Sequence, residues 1–199
     1  MKKYSVILLV AAVIIVTGAW CVSVYNGLVK KDEAVQAAWS QVENVYQRRL
    51  DLIPNLVNTV KGSADFERST LQEVVEARAA ATQVKVDPQN LTEDNIARYQ
   101  QAQDALSGSL SRLLVTVERY PELKSSRNFA ELQAQLEGTE NRIAVERGKF
   151  NNEVRAYNTA LRRFPTNVMA GMFGFEKKGY FEAAEGAEKA PEVSFDFGR

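Results

Sequence analysis

The stretch KKYSVILLVAAVIIVTGAWCVSVYNGLVKK constrains this chain more than any other. After Lys2 and Lys3 no charged side chain occurs until Lys30, a run of 26 residues. A bilayer hydrocarbon core takes about 20 apolar residues as helix, because a helix satisfies its own backbone hydrogen bonds in lipid. Tyr4 to Tyr25 supplies 22. Tyr4, Trp20 and Tyr25 lie near the ends of the run, where amphipathic rings sit at headgroup depth. Residues 1–25 therefore read as a membrane anchor. A cleaved signal peptide is a rival, with Thr17-Gly18-Ala19 as a poor cleavage site. A lipoprotein would need a small residue before Cys21, where Trp20 stands. A buried helix of a soluble core conflicts with the length and all-round apolarity of the run. The basic residues flanking the span, Lys2 and Lys3 against Lys30 and Lys31, barely discriminate its orientation. The expectation is a signal-anchor with the domain outside the cytoplasm.

Beyond the anchor the apolar residues recur every three or four positions, the mark of helices with one buried face. The first stripe is Val35, Trp39, Val42, Tyr46, Leu50, Ile53, Val57 and Val60. After Gly62-Ser63 comes Phe66, Leu71, Val74 and Val75, and Asp87-Pro88 marks a loop. Thr92 followed by Glu93 and Asp94 is a helix start, a capping hydroxyl and then acids at the positive end of the dipole. The third stripe runs Ile96, Tyr99, Gln103, Leu106, Leu110, Leu113, Val117 and Tyr120, and Pro121 stops it. Asn128 with Glu131 resembles a capping box. Phe129, Leu132, Leu136, Ile143, Phe150, Val154, Tyr157, Leu161 and Phe164 form the fourth stripe, ended by Pro165. That last helix would be roughly 54 Å long at 1.5 Å per residue.

The predicted fold is all-α: a transmembrane helix, then an antiparallel up-and-down four-helix bundle over 26–165, then an irregular tail over 166–199. Short connections favour antiparallel neighbours. A chain running straight through Gly62-Ser63 would give three helices instead. Pro54 interrupts the first stripe in QRRLDLIPNLVNTVKG. Inside a helix it frees the Leu50 carbonyl and costs about 3 kcal/mol. Because the stripe continues on both sides, a kinked helix is expected, with a hinge or a new helix start as runner-up.

Composition narrows the chemistry. Lys plus Arg and Asp plus Glu are 25 each, which leaves no general basic face for nucleic acid. Histidine is absent and Cys21 is the only cysteine, so the commonest general base, the commonest metal ligand and any intrachain disulfide are excluded. No phosphate-binding glycine loop and no G-x-S-x-G occurs. The pairs Glu73/Glu76 and Glu137/Glu140 have the i, i+3 spacing of carboxylate sites in bundles, but solvated helix faces carry such pairs routinely. No cofactor is expected. Arg48-Arg49 is a candidate contact for anionic lipid, against the simpler reading of a solvated edge. Asn44, Asn55, Asn58, Asn141, Asn151, Asn152 and Asn158 punctuate the first and last helices. Asn151 and Asn158, seven apart, share a face, either solvated or fixing register. The tail carries Val168, Met169, Met172, Phe173, Phe175, Tyr180 and Phe181 among glycines, too apolar to lie free in water. It either folds back on the bundle or makes an interface through Met172, Phe173, Phe175, Tyr180 and Phe181 with a partner or a second copy. VSFDF alternates like a short strand.

AWSQVENVYQRRLDLIPNLVNTVKG, RYPELKSSRNFAELQAQLEGTENRIAVERGKFNNEVRAYNT and FP followed by YF closely resemble the LemA family. The resemblance runs from about Tyr25 to PEVSF. It implies a bacterial single-span membrane protein with an up-and-down four-helix bundle. Family members commonly accompany genes for other envelope proteins, including a membrane-bound zinc protease. It implies no catalytic residue or cofactor, and both membrane orientations have been proposed. The function expected is a non-enzymatic scaffold or adaptor in the inner membrane of a bacterium, acting through envelope protein partners or self-assembly. Alternatives are a lipid-surface sensor using Arg48, Arg49 and the tail, and a carboxylate or metal-dependent enzyme using Glu73, Glu76, Glu137 and Glu140.

Overall fold

A computed structural model describes residues 2–62 and 66–182. Among them the chain is helical, with no strand: α1 Lys2–Lys61, α2 Arg68–Gln83, α3 Glu93–Val117, α4 Pro121–Lys124, α5 Arg127–Arg162 and α6 Thr166–Phe173. VSFDF lies outside the described residues.

α1 is a single helix of 60 residues, roughly 90 Å at 1.5 Å per residue. No break interrupts the helix near residue 25, the expected end of the anchor. Leu8, Ile15 and Val22 are exposed on all sides, whereas Leu28 and Val35 already lie in the core. The helix also runs through Pro54 without a restart. The carbonyl that Pro54 frees is not orphaned, because Arg78 Nε on α2 donates to Leu50 O at 3.0 Å. A tertiary hydrogen bond thus replaces the helical one. After Pro54 the buried residue is Leu56 rather than the expected Val57.

The other helices follow the predicted faces. Thr92 Oγ1 accepts from Asn95 N at 3.3 Å and starts α3 as expected. Ile96, Tyr99, Gln103, Leu106, Leu110, Leu113 and Val117 are buried on it. Pro121 does not simply stop α3; it opens the short helix α4 at a position where its missing N–H costs nothing. The capping box at Asn128 is not formed. α5 starts from Ser126 without a side-chain cap, and Glu131 pairs with Arg127 instead, at 3.0 Å. Phe129, Leu136, Ile143, Phe150, Val154, Tyr157 and Leu161 form its buried face, while Phe164 is exposed.

The core has two parts. Beyond the middle of α1, Leu50 to Val60 pack with α2, the second half of α3, Leu123 and the start of α5. Nearer the apolar span, Leu28 to Tyr46 pack with Val86, Leu91, the start of α3, the end of α5, Ala170 and Phe181. α2 is too short to cover this second part, and the segment after α6 helps to seal it. The tail is therefore less irregular than expected. Residues 166–173 are helical despite Gly171, and the helix ends where Gly174 takes φ 73 and Phe175 N bonds back to Ala170 O at 3.0 Å. Only a residue tolerant of left-handed backbone suits that stop.

Arg78→Met should lower the stability of the detergent-solubilised chain by about 1–2 kcal/mol. In a Pro54→Ala background the Leu50 carbonyl regains its helical partner, and the same change should cost clearly less. Equal costs in chemical denaturation would show that Arg78 does not serve the proline.

Candidate functional site

The structure concentrates its polar tertiary contacts on residues 178–182, which α3 and α5 both bond. Three side-chain amides hold this strip, each using both of its groups on one residue's backbone. Asn158 accepts from Lys178 N at 3.0 Å and donates to Lys178 O at 2.9 Å. Asn151 accepts from Phe181 N at 2.9 Å and donates to Phe181 O at 2.8 Å. Gln100 on α3 accepts from Glu182 N at 2.9 Å and donates to Glu182 O at 3.2 Å. An amide side chain carries the same donor and acceptor as a peptide unit, so the three substitute for the neighbour an extended strip would have in a sheet.

Gly179 is the point of closest approach. Its N–H bonds Leu91 O at 2.8 Å. A methyl group there would sit 2.6 Å from Glu93 Cα and 2.9 Å from Thr92 O, both backbone atoms that cannot move aside. Lys178 Nζ reaches Asp32 Oδ1 at 3.0 Å and Gln89 O at 3.2 Å. Phe181 stacks on Trp39 with ring centres 5.9 Å apart and meets Phe150 edge-on at 5.5 Å. The Arg147 guanidinium lies 4.8 Å over the Phe181 ring and donates to Glu182 O at 2.9 Å. Apolar, cationic and backbone contacts all converge on one short strip.

The predicted tail interface is thereby divided. Phe181 is buried in the chain's own core and offers no face to a partner, which corrects its place in that set. Phe175 is half-buried, whereas Met172, Phe173 and Tyr180 are exposed. Phe173 and Phe175 meet Tyr25 edge-on at 5.0 and 5.7 Å. Tyr4 and Trp20 are exposed on α1.

Arg48 and Arg49 part company too. Arg48 is exposed. Arg49 is 1% exposed and faces the bundle interior, which corrects its reading as a lipid contact. Its guanidinium donates to Ser107 Oγ at 2.5 Å, Glu140 Oε1 at 2.6 Å, Gln103 Oε1 at 2.6 Å and Gln103 O at 3.1 Å. It also lies 5.0 Å from the centre of the Tyr46 ring. Both arginines stand more than 20 residues beyond Tyr25 on a continuous helix, roughly 35 Å from the end of the span.

The carboxylate pairs do not converge. Glu73 pairs with Arg112 at 3.0 Å, Glu76 accepts from Gln72 at 2.9 Å, Glu137 accepts from Gln133 at 2.9 Å, and Glu140 serves Arg49. Among the described residues no three acids or thiols group as metal ligands would. Around Trp39 the phenols of Tyr46 and Tyr99 are held above their ordinary value of 10.0, chiefly by burial.

The LemA family model matches residues 38–195, which takes in α1 from residue 38 onward, α2 to α6 and the strip at 178–182. The chain belongs to the LemA family. Among curated relatives, the magnetosome protein MamQ of Magnetospirillum gryphiswaldense is 29% identical over 174 residues, covering 79% of this chain and 64% of the relative. MamQ 2 of Paramagnetospirillum magneticum is 27% identical over 175 residues, with the same coverage. Protein LemA of Metamycoplasma hominis is 22% identical over 160 residues, covering 80% of this chain and 69% of the relative. The chain thus spans 64% of the length of the magnetosome relatives. With the exposed apolar start of α1, the family places this chain among membrane-associated helical proteins.

Gly179→Ala, or Asn151→Ala with Asn158→Ala, should release residues 178–182 while the helices persist. Trypsin cleavage after Lys178 should then accelerate about tenfold for each 1.4 kcal/mol lost. Unchanged cleavage with an unchanged circular dichroism spectrum would show that the amides contribute nothing.

The tyrosines give a pH dependence. Their folded values lie above the unfolded ones, so their stabilisation is complete below pH 10 and is lost as pH rises above it. Tyr99→Phe should flatten the fall of melting temperature above pH 10, each protein being compared with its own melting temperature at pH 7.

Proposed function

We propose that this chain is a non-enzymatic membrane-tethered scaffold that presents a helical bundle to protein partners, or to further copies of itself, at a set height above the bilayer. The observation that carries this reading is the continuity of α1, which is apolar anchor at one end and core helix of the bundle at the other. A flexible linker would let the domain wander. A continuous helix carried into a packed core transmits position and orientation. Some 36 residues beyond Tyr25, the far end of α1 stands roughly 54 Å from the span. The favoured placement is the inner membrane of a bacterium, with the bundle on the extracytoplasmic side and the surrounding envelope proteins as partners.

Photo-crosslinking residues at the exposed positions Gln47, Asn55 and Ala134 test the proposal in intact cells. The expected products are discrete protein adducts, either with an envelope protein or with a second copy. Recovery of lipid adducts alone from all three positions would overturn it.

A further inference from the structure

α6 leaves one face unaccounted for. Met169 and Ala170 turn inward, and Cys21 Sγ lies 3.9 Å from Met169 Sδ. Val168 and Met172 on α6 are 54 and 74% exposed, Phe173 beside them is 51% exposed, and Phe164, just before the helix, is 84% exposed. Four large apolar side chains in ten residues form a patch that water does not favour.

Its position identifies what covers it. α6 does not pack at the far end of the bundle or on its flank. It touches α1 at Cys21 and Tyr25, the last turn of the apolar span. A span of about 20 residues that fills the hydrocarbon core puts this turn at the boundary between acyl chains and headgroups. The exposed face of α6 is therefore continuous with the lipid-facing surface of the span.

The charges just above agree. Lys30 and Lys31 are exposed on α1 roughly 8 Å beyond Tyr25, within the thickness of a headgroup layer. Arg155, Arg162 and Arg163 at the end of α5 and Lys177 after α6 are exposed, and Lys31, Arg155 and Arg163 border one surface hollow. The exposed acids of the same region are Glu33, Glu153 and Glu176, so the balance is cationic. An apolar face below a basic rim is the pattern of a helix lying in a membrane interface.

We infer that α6 is an interfacial foot, lying in the headgroup boundary of the bilayer that α1 crosses, with Phe164, Val168, Met172 and Phe173 in lipid and the basic rim among anionic headgroups. The foot rests on the reading of α1 as a span. It gives the anchor a second point of contact, which sets the tilt and rotation that one helix leaves free.

The test uses the full chain in phosphatidylethanolamine–phosphatidylglycerol vesicles, with Cys21→Ala and a nitroxide at one introduced cysteine. Met172→Cys and Phe164→Cys report the foot, Ile15→Cys the span and Ala134→Cys the water-exposed bundle. At Met172 and Phe164 the expected result is high access to oxygen, as at Ile15, and several-fold lower access to a water-soluble nickel complex than at Ala134. Nickel access equal to that at Ala134, with Ile15 still protected, overturns the foot and leaves the span standing. Nickel access at Ile15 itself removes the span and the foot together. Spin–spin broadening at Met172 that disappears on dilution with unlabelled chain assigns the face to a second copy and also overturns the foot. In phosphatidylcholine vesicles the foot should sit shallower, and an unchanged depth removes the role of the basic rim.

Discussion

Everything in this molecule is registered against α1. A helix fixes its own geometry, so once one turn is held by lipid or by core packing, every other turn has a determined height and direction. The other helices read that register at successive levels. Cys21 and Tyr25 meet α6, Trp39 meets the strip after it, Arg49 meets α3 and α5, and Leu50 receives Arg78 from α2. A chain whose proline has to be tolerated in the middle of such a rod would lose this coherence if the rod broke. The guanidinium on the Leu50 carbonyl shows how the break is avoided, with α2 supplying a donor that α1 lacks.

Much of this architecture was legible from periodicity. Apolar side chains at three- and four-residue spacing have one good solution, a helix with that face covered, and the buried residues of α3 and α5 are nearly those of the predicted stripes. The errors lie where local and tertiary preferences compete. Phe164 continues the α5 stripe in spacing, yet the helix ends at Arg162 and the ring turns outward. Gly171 argued against a helix that nonetheless forms, because Met169 and Ala170 gain packing that offsets a weak intrinsic propensity.

The polar interior was far less legible. Arg48 and Arg49 are alike as residues and adjacent in the chain; a turn of about 100° places one in water and the other in the core. What separates them is that Arg49 continues the line of Tyr46 and Ile53, a phase signal that a search for charged motifs overlooks. Asn151 and Asn158 stood out by spacing, but their partner is backbone from a segment with no periodicity of its own. Gln100 gave no signal at all, since a glutamine on a helix is unremarkable until the segment beside it is known. Side chains that pair with backbone leave no complementary residue type to search for.

The amide-held strip also has a bearing on how the chain assembles. Its contacts with Asn158, Asn151 and Gln100 close sequence separations of 20, 30 and 82 residues. The last of these ties the strip to α3 as well as to α5. Without the strip the Trp39 and Phe150 rings would lack the cover of Phe181. Loss of those few residues would therefore open an aromatic surface prone to wrong association.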